Sequence, residues 1–394
     1  MKRIISYFAA VIFIGTVFTF GSCTKNTTPT PTPTPEPGTS KTELLSLKTT
    51  TAPVIDGAVD NVWANAQLLE GTVTVPSAGP NAGKPGQDVF QFYVGESTTF
   101  TMRSLYDNSN IYILVQWKDD KDSKDRMAWY FDPATKLWAQ QNKFPDSQTD
   151  KWYEDKAAFM WNINQIAGWN TATCYATCHT GVDPSVQGHS ARHYTLNAGE
   201  LADIWHWKRV RTNVDRQLDD KHMIHDLTGK GRQGDTKISG GYAANIQTLN
   251  NGTTDVSVPK YIIPGKTDYY WITQTEIDNG TAKLITGVDA NGVLSYAGGT
   301  IDPAAGGFEM NLGNKRAPSV TTTPFVGPRG DVTAYGEWKN GVWTLEIKRA
   351  LANENTTQDV QFDPAKEFYF GFSIFNNAAI GHMIKTNLIL KFKK

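Results

Sequence analysis

Asn110-Ile-Tyr-Ile-Leu-Val-Gln-Trp-Lys118 decides the fold class. It is short, rich in Ile, Tyr, Val and Trp, and partly alternating, which is the signature of a strand. Working outward, Gly341–Lys348 (GVWTLEIK), Glu367–Phe375 (EFYFGFSIF) and Asn387–Phe392 (NLILKF) have the same character. Asp107-Asn108, Asn291-Gly292 and Asn340-Gly341 supply turns between such segments. Amphipathic helical patterns are scarce; the best are short, around Asn61–Leu69 and Ala198–Arg211. Many short strands with little helix predict a mainly β chain, an antiparallel sandwich.

The ends set the expected compartment. Lys2 and Arg3 precede an apolar run from Ile4 to Phe20, and Gly21-Ser22-Cys23 closes it. This is the layout of a secretory signal. Its ending on Cys23 resembles a bacterial lipoprotein signal, with residues 1–22 removed and Cys23 lipidated. The Thr/Pro run over 23–40 cannot build a core and favours extended polyproline II, a spacer off the membrane. The folded part is expected over 41–394, in an exported lipoprotein of the outer membrane, on its periplasmic face or the cell surface. The net charge of −1 among 394 residues argues against a nucleic-acid partner, which a basic stripe would announce.

From about 161 to 263 the strand signal weakens and Gly, Asn, Asp and His accumulate. Of the seven histidines, all but His382 fall here. The stretch reads as a long insertion from the sandwich, and insertions of this length are usually functional.

Cys174-Tyr-Ala-Thr-Cys178-His179 carries the chemistry. Covalent haem attachment needs two thiols to add across the vinyl groups and an imidazole directly after the second, over the iron. Here three residues separate the cysteines where two are common; the added residue leaves Cys178 and His179 in their usual relation. His179 would be the proximal ligand. A Cys174–Cys178 disulfide is the rival, and leaves His179 unexplained; a zinc site would need two further ligands. For the sixth iron position His382 is the first candidate and His206, between Trp205 and Trp207, the second; Met223, Met383 and Lys385 follow. Trp205 and Trp207 are candidates for a haem pocket. His189/His193 and His222/His225 could share helix faces but lack a Cys or Glu cluster, and read as solvated. Glu154-Asp155 and Asp219-Asp220 read as turn caps or solvated pairs. No nucleophile–base pair, phosphate loop or dinucleotide fingerprint stands out, so catalysis by the chain itself is not expected.

Taken together, these pieces resemble the haem-binding family related to the gamma subunit of ethylbenzene dehydrogenase, also described as the cytochrome c-552/DMSO reductase-like haem-binding domain. The resemblance runs from about Ile55 to Phe392. It rests on Ile55-Asp56-Gly57 with Asp60 and Trp63, Asn110–Trp117, Glu154–Trp161, Cys174–His179, Trp205–Lys208 with Arg211, Gly231–Asp235 before Gly240-Gly241-Tyr242, Gly336–Trp338 to Arg349, and Phe375-Asn376-Asn377 leading to His382. It implies an immunoglobulin-like sandwich and electron transfer, often beside a molybdenum oxidoreductase. The gamma subunits hold b-type haem through Met and Lys; Cys174 and Cys178 depart from that and resemble a c-type branch.

The expectation is therefore a membrane-tethered monohaem c-type cytochrome, with one covalent haem c and a redox partner protein. Its rival is a carbohydrate-binding or adhesive sandwich with a Cys174–Cys178 disulfide, since Ile55–Trp63 also resembles sugar-binding sandwiches and Trp-rich loops can stack on sugar rings.

Overall fold

Asn110–Lys118 is one strand from end to end, as its β-branched and aromatic residues predict. The structure is a computed structural model and describes residues 38–75, 92–144, 147, 150–177, 194–228, 230–266, 268–309 and 315–393. Cys23 with the 1–22 leader, most of the 23–40 spacer, Cys178, His179, His189 and His193 lie outside the described residues.

Thirteen strands join in one sheet: β1 (Thr39–Ser40), β2 (Glu43–Lys48), β3 (Leu68–Thr74), β4 (Ser97–Tyr106), β5 (Asn110–Lys118), β6 (Lys156–Asn164), β7 (Leu201–Lys208), β8 (Asp219–Met223), β9 (Arg232–Gly234), β10 (Thr333–Lys339), β11 (Val342–Ala350), β12 (Phe368–Phe375) and β13 (Met383–Lys393). Their order is β9-β8-β7-β6-β12-β13-β2-β4-β5-β11-β10, with β3 against β1, β4 and β13. Pairing is antiparallel except for β2 with β4 and β13, and β1 with β3. Asn340 and Gly341, at φ 52° and 80°, form the tight turn between β10 and β11 that the Asn-Gly pair predicts.

The sheet curls back on itself. Trp207 of β7 packs against Trp117 of β5 and Trp343 of β11, with ring centroids 5.9 and 5.0 Å apart, although many strands separate them in the sheet order. This makes two layers around one core, a β-sandwich, with Phe159, Trp161, Trp205, Phe370 and Phe372 in the same core. Each ring of this kind buries ~150–250 Å², about 4–6 kcal/mol at ~25 cal/mol per Å² before entropy is counted. With 44% strand and 9% helix, helices contribute little to that core.

A second core gathers Trp129, Phe131, Trp138, Val258, Ile262, Ile285 and Leu294. Its small sheets come from Trp129–Asp132 with Leu137–Gln140, and from strands between Ala243 and Thr322.

Three expectations need revision. Ala198–Arg211 is not helical: Leu201–Lys208 is strand β7. Both its faces are buried, so it lacks the polar alternation that marks a half-exposed strand. Around Asn61–Leu69, only Asn61–Asn65 is a short 3-10 turn, and β3 begins at Leu68. The stretch 161–263 is divided, since it supplies β7, β8 and β9 to the main sheet while its last part joins the second core.

The Ile55-Asp56-Gly57 motif is a structural clasp. Glu346, buried on β11, accepts the backbone N–H groups of Asp56 and Gly57 and the Trp63 indole N–H, each at 3.0 Å. Hydrogen bonds to a charged group are worth about 1.5–3 kcal/mol each. Gly57, at φ 82°, has no room for a side chain: a Cβ would lie 2.8 Å from that of Glu337.

Candidate functional site

Alternation gives β7 two faces with different work. Asp203, Trp205 and Trp207 turn to the sandwich core, whereas Ile204, His206 and Lys208 turn to the opposite face. Trp205 and Trp207 are fully buried core residues, so they do not line a pocket beside His206. Register places Ala158 of β6 and Asp219 of β8 on either side of His206, and Met160 and Lys221 on either side of Ile204. One row away, Phe375 of β12 and Lys156 of β6 are in line with Lys208.

This second face has an apolar part and a charged part. Met160, Ile166, Trp169, Ala176, Ile204 and Met223 cluster, with Cys174 packed against them. Cys174 sits in the turn Thr173–Ala176, after the short helix Trp169–Ala172. That segment is pinned by Trp169, whose indole N–H donates to Tyr369 O at 2.8 Å, and by Asn387, whose N–H donates to Thr173 Oγ1 at 3.3 Å. Gly371 of β12 makes the seat: a Cβ there would lie 2.7 Å from Cys174 Sγ. Gly371 and Phe375 are on the same face, four residues apart, or about 13 Å along the strand at ~3.3 Å per residue.

At the other end, the two histidines considered for the sixth iron position meet on Phe375. His206 stacks on one side at 5.5 Å between centroids, and His382 at 4.5 Å. His382 is half-buried, and its Nδ1 donates to Ile380 O at 2.6 Å. Asn377 anchors the loop before it: its Oδ1 accepts Tyr153 N–H at 2.6 Å, and its N–H donates to Asp155 Oδ1 at 2.9 Å.

His206 is 7% exposed and its Nε2 has no hydrogen-bond partner among the described residues. Burial first, and then Lys208, Lys156, Arg232 and Lys221, push its pKa well below the usual 6.5, which keeps the imidazole neutral. Burial also pulls Lys208 down to about 7 and Lys221 to about 8. Against the burial penalty, Lys208, Lys221 and Arg329 hold Asp219 well below the carboxylate range. Lys156 lies 4.0 Å over the Phe375 ring and donates to Ala379 O at 3.0 Å.

Of the two acidic pairs, Asp219-Asp220 is neither a turn cap nor solvated, since both residues are buried on strand β8 and Asp219 pairs with Lys208, Lys221 and Arg329, whereas Glu154-Asp155 holds turns. Glu154 is wholly buried, accepts Val210 N–H at 2.7 Å and pairs with Arg211 at 2.5 Å; Asp155 accepts Ser123 N–H at 2.7 Å. Thus these carboxylates cap turns from inside the protein. Met223 is in the apolar cluster, and Met383 is in the main core. His222 pairs with Asp235 at 2.6 Å, and the Nδ1 of His225 donates to Thr195 O at 2.7 Å; His222 is therefore buried rather than solvated.

The donors on this face suit a haem. It offers a cysteine sulfur over an apolar floor and a buried neutral imidazole beside the Phe375 ring. Gly371 carried no signal in the sequence, and Lys156, Lys208 and Phe375 entered only as parts of the matching family pieces, because each looks like an ordinary strand residue until register brings it to this face.

The molecule is thus a mainly β sandwich with a cysteine-bearing turn and stacked histidines on one buried face. The family described as ethylbenzene dehydrogenase matches residues 60–386, and the chain belongs to it. Among solved structures, a carbohydrate binding module of family 9 from Caldicellulosiruptor kristjanssonii in complex with glucose is similar. It shares 8% identity and a TM-score of 0.27, over 89% of this chain and 95% of that one. The same module with cellotriose gives 10% identity and a TM-score of 0.27, over 89% and 93%. Those superpositions are too loose to speak to function. No curated protein matches the chain.

Proposed function

We propose that the chain is a membrane-tethered c-type cytochrome. Cys174 and Cys178 hold one haem as thioethers, His179 is the proximal ligand, and His382 supplies the sixth. The observation that carries this is the shared face: the Cys174 seat on Gly371 and the His206–Phe375–His382 stack lie at its two ends. When bound, the haem supplies one-electron exchange at its iron. The chain's own residues orient and insulate it. The Ile380 carbonyl fixes the His382 tautomer, Asn377 anchors its loop, and Met160, Ile204 and Met223 exclude water. Lipidation at Cys23 tethers the protein to the outer membrane, and electrons pass to a partner protein, a molybdenum oxidoreductase in the reading we favour.

One observation favours His206 as the alternative sixth ligand: its orphaned, buried Nε2. Substitution separates the two. His382→Ala is expected to turn a low-spin six-coordinate spectrum into a high-spin one, while His206→Ala leaves the coordination intact. The reverse result transfers the role to His206, and a haem-free protein overturns the proposal. The sugar-binding rival gains no support, since nine of the twelve tryptophans are buried and the other three half-buried.

A further inference from the structure

On the core side of β7 and β8, away from the cysteine-bearing face, three carboxylates converge. Asp203 on β7, Asp220 on β8 and Asp359 on the segment before β12 are each fully buried, and each offers an oxygen within 4.8 Å of the others. Every one of them uses one oxygen for protein donors and leaves the second without any. Asp203 Oδ2 accepts the Trp205 indole N–H at 3.1 Å and Val360 N–H at 3.0 Å. Asp220 Oδ1 accepts Lys221 N–H at 3.0 Å, and Asp359 Oδ2 accepts from the Asn353 amide at 2.7 Å. Among the described residues, Asp203 Oδ1, Asp220 Oδ2 and Asp359 Oδ1 have no hydrogen-bond donor, and the neighbouring, buried Asp235 meets Asp359 carboxyl to carboxyl.

Four buried carboxylates need compensation that the nearby side chains do not supply. Arg349 brings one positive charge against the four: it opposes the effect of burial on Asp203, and its Nη2 is 3.4 Å from Asp359 Oδ1, yet Nη2 and Nε make no hydrogen bond among the described residues. Its Nη1 is committed to Val360 O at 2.5 Å. His222 serves Asp235 Oδ1 at 2.6 Å. An uncompensated buried charge costs several kcal/mol, so the group must take up either protons or a cation. Burial and mutual repulsion do raise Asp203 and Asp220 well above the carboxylate range, as expected of a group lacking its counter-charge.

We propose that Asp203, Asp220 and Asp359 bind a calcium ion that ties β7 and β8 to the segment leading into β12. The spacing suits calcium: oxygen ligands at about 2.3–2.6 Å from one ion lie up to about 5 Å apart. Magnesium, at ~2.0–2.1 Å and reluctant to shed water, suits this dry site less well.

The test uses the full chain, dialysed against calcium and gel-filtered, with calcium and iron measured in the same sample. Because iron reports the haem independently, failure of this inference and failure of the electron-carrier reading are distinguishable. About one calcium per chain is expected, with a melting temperature lowered by roughly 3 °C or more on chelation and restored by added calcium. Asp220→Asn and Asp359→Asn should each cut retained calcium at least about fivefold, while Asp132→Asn, half-buried on the Trp129–Asp132 strand outside the main sheet, retains it. Should a variant fail to fold, the wild-type stoichiometry and the reversal of the chelator effect decide. Absence of calcium, retention of magnesium in its place, melting indifferent to chelation, or full retention by folded Asp220→Asn would each overturn the proposal. A group neutralised by shared protons would give the first of these.

Discussion

Acidification should destabilise this protein through His206, and the size of the effect follows from its surroundings. The imidazole is buried among Lys208, Lys156, Arg232 and Lys221, so its folded pKa lies well below the unfolded value of 6.5. Below about 6.5 the unfolded chain binds a proton that the folded chain refuses, and stability falls as pH falls, with a slope approaching about 1.4 kcal/mol per pH unit. Between about pH 7 and about pH 5.5, with the folded imidazole neutral throughout, this one group removes about 1.2 kcal/mol. Carboxylates with raised values, such as Asp203 and Asp220, act in the opposite direction, so the wild-type slope alone is uninformative. The comparison with His206→Gln isolates the histidine. Urea denaturation of both proteins at the two pH values should show the variant losing about 1.2 kcal/mol less than the wild type. Equal losses would refute the description of His206 as an imidazole kept neutral mainly by burial.

Gly371→Ala drives a methyl group into Cys174 Sγ. Overpacking of this kind costs about 1–3 kcal/mol, and the variant should also incorporate less haem per chain, measured as the ratio of Soret to protein absorbance. Unchanged stability and haem yield would show that the Cys174 turn does not rest on β12. Glu154→Gln leaves Arg211 and Arg126 facing a neutral group in a buried site. The expected loss is about 3–5 kcal/mol by denaturant titration, as for breaking a buried ion pair; a loss under about 1 kcal/mol would mean that the pair is solvated.

Half-exposed strands write their faces as alternation, but Asn110–Lys118 was legible through its β-branched and aromatic residues, since Ile111 to Val115 are buried in succession. Where both faces are buried that signature disappears. Ala202, Ile204, His206 and Lys208 oppose Asp203, Trp205 and Trp207 on β7, and the resulting string reads more like a helix than a strand. The same effect made Trp205 and Trp207 look like partners of His206, when alternation turns them to the opposite side. His206 and His382 were legible as candidates, but their meeting on Phe375 was not, since 176 positions separate them in the chain and only the pairing of β6, β7 and β12 unites them. Asp203, Asp220 and Asp359 likewise become a group only through register and the return of the chain before β12.

The most direct test is mass spectrometry of the peptide spanning Cys174 to His179 from protein matured with a c-type haem attachment system. The account predicts that peptide carrying one porphyrin on both sulfurs, stable to denaturation, with a matching pyridine haemochrome. A peptide free of porphyrin, its two sulfurs joined to each other, would contradict it.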